Sequence, residues 1–233
     1  MTTPIARDRR ESLTRGLLWC GAAAGPAFVS VFLLEGARRP DYQPRRHPVS
    51  SLSLGPRGWV QRANFGLSGL LYVAGAAGLS RAADPIAGTW LDPVIVGAAG
   101  LGLLGSAVFS TDPVSGYPPG TPDVGVQNSA SMRMHGIAAV PIFLGLPCAA
   151  FAYACRFRRR GRPAWALYCA GTGASMLANM GLAGAGFNQS PGLVNTAGLF
   201  QRAAIVSGFG WLTTLTAHAL RGRTPPRDNR SAT

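Results

Sequence analysis

The sequence predicts an all-α polytopic membrane protein, a bundle of six transmembrane helices, on three observations. First, six long apolar stretches cross the 233 residues, approximately 16–35, 59–79, 93–110, 136–154, 164–187 and 203–220. At about 1.5 Å rise per residue, each can cross a hydrocarbon layer of about 30 Å as a helix. Second, the segments between them are short and polar, too small to build a soluble domain. Third, charge sits at the ends of the stretches. Net charge is +13 and all 22 basic residues are arginines, which flank the spans where they can snorkel to the headgroups. Mean hydropathy is only +0.17 because the tails and two loops carry these arginines. The same charge in a soluble chain would point to nucleic acid. Beside six spans it points to membrane lipids, and no nucleic-acid partner is expected.

Each element has its own signature. Residues 1–15 form a basic N-terminal tail, and the apolar run that follows is too long for a cleaved leader, so the first span is retained. Helix 1 carries Gly21 and Gly25 with three alanines between, a small-residue face that admits a close neighbour, followed by Pro26. Helix 2 places Asn64, Ser68 and Tyr72 at i, i+4 and i+8, a polar stripe that must face the bundle interior. Helix 3 carries Gly97, Gly100, Gly102 and Gly105, with Ser106 and Ser110 one turn apart. Pro141 and Pro147 are placed to kink helix 4. Helix 5 is glycine-rich, with Gly171, Gly173, Gly181, Gly184 and Gly186 as a packing face, and its Thr172, Ser175 and Asn179 suit interhelical hydrogen bonds. Helix 6 ends near His218 and Arg221, and residues 221–233 form a disordered tail. The transmembrane domain is therefore 16–220. Trp19, Trp59, Trp90 and Trp165 fall near span ends as interfacial anchors, while Trp211 is mid-span. Cys20, Cys148, Cys155 and Cys169 lie within or at the end of spans without a CxxC pair and read as small buried hydrophobes.

Arginine placement sets the orientation. Fourteen arginines lie on the side that holds both termini and eight on the other, so both termini are expected in the cytoplasm. The two long loops, 36–58 and 111–133, then fall on the outer side together with the polar segment that holds Asn188, Asn195 and Gln201.

Polar chemistry collects on that side. The first loop and the start of helix 2 contain His47-Pro-Val-Ser50, Arg62 and Asn64. The second long loop contains Asp112 and Gly116-Tyr117-Pro-Pro-Gly120, and His135 opens helix 4. Gly198-Leu-Phe-Gln201-Arg202 precedes helix 6. Together these elements resemble the bacterial and archaeal membrane family known as domain of unknown function 998. That resemblance covers most of the chain and implies six helices, a His-Pro-x-Ser element, an Asp-containing loop, a His at helix 4 and a Gly-x-x-x-Arg element. It also implies the plasma membrane of a bacterium, and it brings no established reaction.

Glu35, Asn64, Asp112, His135 and Arg202 all belong at one membrane face in a six-helix topology. An unpaired charge near the hydrocarbon edge is costly, so Asp112 is expected to pair with Arg202 or His135, and Glu35 with Arg62 or an arginine of the first loop. The cluster is expected to form an outer-face vestibule for a lipid-like or small anionic ligand. His47, Ser50, Arg62, Asn64, Tyr72, Tyr117, Gln201 and Arg202 are its candidate ligands; Arg62 and Arg202 suit a phosphate or carboxylate. A lid of salt bridges over the bundle would use the same residues. The alternative is a membrane enzyme on a lipidic or isoprenoid-like substrate, with Asp112 or Glu35 as proton donor and His135 as base. A small transporter is a further alternative and would need a continuous polar path. No cofactor or metal is expected: three histidines do not supply paired haem ligands, and no HExxH, P-loop, GxSxG or dinucleotide fingerprint occurs.

Overall fold

The computed structural model describes residues 4–82 and 90–221, and the expected disordered tail from residue 222 onward lies outside them. Six helices run through the described residues: α1 (Pro4–Arg38), α2 (Gly58–Arg81), α3 (Leu91–Val108), α4 (Ala130–Arg159), α5 (Pro163–Phe187) and α6 (Ala197–Arg221). This is the expected helix count. The segments Arg7–Arg38, Leu91–Val108, Ala130–Arg159 and Ala197–Arg221 are long and apolar enough to cross a membrane. α2, which carries Gln61, Arg62, Asn64 and Ser68, and the glycine-rich α5 are not among these four segments. α1 starts at Pro4, twelve residues ahead of the apolar stretch, so the described part of the basic N-terminal segment is helical.

Each helix packs on its neighbours in sequence, and α6 returns to α1, closing a ring in chain order. Glycine makes the tight crossings. A methyl group built on Gly75 would lie 2.5 Å from the Gly21 Cα, so α1 and α2 touch backbone to backbone. α2 meets α3 at Gly69 and Gly100, and α3 meets α4 where Gly102 and Gly105 face Ala138. In lipid, such contact supplies the dispersion attraction that apolar side chains alone do not. The helix 5 glycines divide. Gly173 packs on Phe151 and Gly186 on Ala197, whereas a methyl group at Gly171, Gly181 or Gly184 would meet nothing within 4 Å. That corrects the expectation of one continuous glycine packing face.

α4 widens into a π-helical turn over Pro141–Gly145, where Pro141 has no N–H for the regular ladder. Aromatic rings fill the ring of helices. Phe28 packs edge-on against Phe209, Tyr72 packs on the same Phe209, and Tyr153 packs on Trp211. Trp211 is fully buried, while Trp59 and Trp90 project outward at the starts of α2 and α3 as anchors should, and Trp19 projects outward from the middle of the long α1. All four cysteines are free thiols. Only Cys169 is buried; Cys148 and Cys155 face outward, contrary to the reading of all four as core residues.

Loop 1 (39–57), loop 3 (109–129) and the 188–196 turn meet at one end of the bundle. Arg46 joins them, donating to Asp123 at 2.6 Å and to Asn195 at 2.9 Å, and Gln189 donates to Ser115 at 3.0 Å. The turn at 160–162 and both described chain ends lie at the opposite end.

Gly75→Ala is expected to lower stability by about 1–3 kcal/mol through overpacking, read as a lower melting temperature in detergent. Gly210→Ala, whose methyl group meets nothing within 4 Å, is expected to leave it unchanged or slightly raised.

Candidate functional site

Loop 1 is folded against α6 by its own backbone carbonyls. Arg202 Nη1 donates to the carbonyls of Pro44 (2.6 Å), His47 (3.1 Å) and Gly198 (2.9 Å), and Nη2 donates to the Tyr42 hydroxyl. That hydroxyl in turn donates to the Pro48 carbonyl at 3.0 Å. Beside it, the Gln201 side-chain oxygen accepts the Val49 N–H at 2.7 Å, securing the short 3-10 turn Val49–Ser53. The Gly-x-x-x-Arg spacing has a physical basis here. A Cβ on Gly198 would lie 2.5 Å from the Pro44 carbonyl oxygen, so only glycine lets loop 1 come this close.

A second guanidinium lies across an aromatic pair. Tyr42 and Tyr117 stack edge to face with centroids 5.2 Å apart, and His47 packs against both. Arg202 lies over the Tyr42 ring, and Arg39 donates to the Tyr117 hydroxyl at 3.2 Å and to the Leu54 carbonyl at 2.9 Å. Arg39 also pairs with Glu35 at 2.9 Å, one helical turn back, and Arg57 adds two donors to the same carboxylate. Glu35 is buried and fully engaged, paired as expected with arginines of loop 1. Arg202 is 7 % exposed and has no carboxylate within ion-pair distance among the described residues; its Nε has no partner. Arg39 Nη2 is likewise buried without a partner.

The other candidates are distributed differently from the single cluster expected. Asp112 accepts from the N–H of Ser129 at 2.9 Å and from its hydroxyl at 2.7 Å, and Ser129 caps the start of α4 through the Met132 N–H. It pairs with neither Arg202 nor His135. His135 Nδ1 donates to the Phe109 carbonyl at 2.9 Å, closing the end of α3. Arg62 is exposed and donates to the Ala107 carbonyl at that same helix end. Asn64 donates to the Phe28 carbonyl of α1 at 3.1 Å, and Ser68 donates back to Asn64. Tyr72 is fully buried two turns further in, its hydroxyl facing Gly25, and Ser50 is half-buried in the loop 1 turn.

The reason for this partition is a run of phenylalanines. From Arg202 the rings of Phe32, Phe28 and Phe65 lead in contact to His135. Asp112, His135, Arg62 and Asn64 each find a carbonyl or a capping residue instead of a distant charge, which lowers the cost of burying them.

Arg39 and Tyr42 were missed among the site residues. The Glu35–Arg39 spacing of four, at a helix end, is the signal that points to the first. Nothing local marks Tyr42. Asp92 was missed as well. It is 2 % exposed in the first turn of α3, at the opposite end of the bundle, and Tyr153 donates its hydroxyl proton to it.

His47 offers a pH readout. Its Nδ1 accepts the Gln43 N–H at 3.0 Å and its Nε2 donates to the Ser115 carbonyl at 3.3 Å, a pattern that holds the neutral ring. Burial pushes its pKa below the ordinary value. The unfolded chain therefore takes up this proton first as pH falls. The stability contributed by neutral His47 is intact above the unfolded pKa of about 6.5 and is lost as pH drops toward the folded value. Melting temperature in detergent is expected to fall between pH 7.5 and 5.5, with a shallower fall in His47→Gln.

No curated protein and no solved structure matches the chain. With six helices, the His47-Pro-Val-Ser50 turn and the Gly198–Arg202 element in place, the family model described as "Protein of unknown function (DUF998)" matches residues 22–218, and the chain belongs to that family.

Proposed function

We propose that the loop 1 and loop 3 end of the bundle is a receptor for an anionic group, a phosphate or carboxylate carried by a lipid-like molecule or a small solute. The observation that carries this reading is the buried guanidinium of Arg202, which is hydrogen-bonded to three carbonyls and a phenol but has no carboxylate among the described residues to balance it. Burying a charge without a counter-charge is costly, and an anion supplies the missing partner. Arg39 contributes a second free N–H on the far side of the Tyr42–Tyr117 pair, and two guanidiniums suit an oxyanion with several acceptor atoms. Glu35 balances one of its two arginine partners, so the site remains cationic. The acid–base alternative gains no comparable support, since Asp112 binds the helix-capping Ser129 and His135 binds a carbonyl.

The test is thermal stability in detergent titrated with inorganic phosphate and, separately, with phosphatidylglycerol. A rise in the wild-type protein that is lost in Arg202→Gln supports the receptor; a response to the lipid alone identifies a headgroup. Identical titrations in wild type and variant overturn it. Arg202→Lys, which keeps the charge and loses the fork, is expected to retain only part of the response.

The proposal places this end outside a bacterial plasma membrane with both termini in the cytoplasm, supported by the fourteen-to-eight arginine bias. In a cysteine-free background, a cysteine at residue 120 is then labelled from outside while those at 160 and 228 are protected. The reverse pattern inverts the orientation.

A further inference from the structure

A groove of about 650 Å³ runs between α5 and α6 on the outside of the bundle, within the range of small-ligand sites. Ala164, Leu167 and Tyr168 line its mouth, Gly171 and Gly210 form its floor, and Thr172, Ser175 and Ser207 lie deeper. From Ala164 to Ser175 it follows α5 for roughly 16 Å, from the end of the bundle at the 160–162 turn toward mid-membrane. Most of its hydroxyls are satisfied: Ser175 bonds Ser207 at 3.0 Å and Tyr168 bonds Thr214 at 3.2 Å. Thr172 is the exception. It is 6 % exposed and lines the groove, and its hydroxyl makes no hydrogen bond among the described residues. At this depth an unpaired hydroxyl is costly, and the groove is the side from which an acceptor can come.

The mouth is cationic and aromatic. Arg158, Arg159 and Arg162 are exposed in the turn that leads into α5, and Trp165 packs there against Phe157, Tyr168 and His218. Arginines beside an aromatic belt are what an anionic headgroup meets at a membrane surface. We infer that this groove holds one acyl chain of an anionic phospholipid, with an ester oxygen accepting from Thr172 and the phosphate on the arginines at the mouth. A second copy of the chain fits less well, because a two-fold contact through this face brings the same arginine turns together, like charge against like. This site is at the opposite end of the bundle from Arg202 and does not rest on that receptor.

The test counts lipids retained by the full-length protein in mild detergent, by native mass spectrometry after incubation with phosphatidylglycerol or phosphatidylcholine. Gly171→Leu and Gly210→Leu fill the groove, and neither position has an atom within 4 Å of an added Cβ, so the lipid-free melting temperature is expected to hold. Each should retain one phosphatidylglycerol fewer than wild type. Arg162→Gln should weaken phosphatidylglycerol retention several-fold and leave phosphatidylcholine unaffected. An unchanged lipid count in both leucine variants overturns the inference. So does a shift from dimer to monomer without loss of lipid, which would assign the groove to a second copy. Loss of the lipid in Arg202→Gln alone would place it at the other end and also overturn it.

Discussion

Arg202 is the point to which the loop 1 end of this bundle is tied. Its guanidinium collects carbonyls from Pro44 and His47 of loop 1 and from Gly198 of its own helix, and it holds Tyr42 by the hydroxyl. A 19-residue connection has many orphan carbonyls, and near hydrocarbon each must find a donor. One arginine with five N–H groups meets several of them at once, and a lysine, with a single point of attachment, could not span the same set. Once loop 1 is anchored, Tyr42 and His47 support Tyr117, so loop 3 is laid over loop 1 in turn. The same choice leaves Arg202 without a carboxylate among the described residues, and that is the source of the site's cationic character.

The helices below obey a different constraint. Apolar side chains gain little from one another in lipid, so close approach must supply the attraction. Gly21 with Gly75 and Gly69 with Gly100 provide it on the α1–α2–α3 side. Across the ring, α5 and α6 part over Gly171 and Gly210, and the interior is closed by large rings such as Trp211 and Tyr153. One side is welded by backbone contact; the other has a groove open toward lipid.

Local satisfaction explains how the polar residues are distributed. Asp112 on the capping Ser129, His135 and Arg62 at the end of α3, and Asn64 on an α1 carbonyl each bond a group of an adjacent element. A cap or carbonyl bond to a neighbouring element lowers the desolvation cost without needing a partner of opposite charge. Only where the chain leaves two long loops and the 188–196 turn at one end do residues from 35 to 202 share a network.

The sequence by itself determined the helical membrane architecture, the helix count and the end at which polar residues gather. Those follow from stretch length, from arginines that cannot enter hydrocarbon, and from the alternation of helix direction. It also carried the Glu35–Arg39 turn in its spacing and the close loop approach in Gly198 and Arg202. Tertiary structure alone decided which polar groups met. Three phenylalanines, Phe32, Phe28 and Phe65, stand between Arg202 and His135, and a pattern of apolar positions does not say which rings will intervene. Tertiary structure likewise divided the glycines of α5 into contacts and groove floor, because a small residue permits a neighbour to approach while the neighbour's own path decides whether it does.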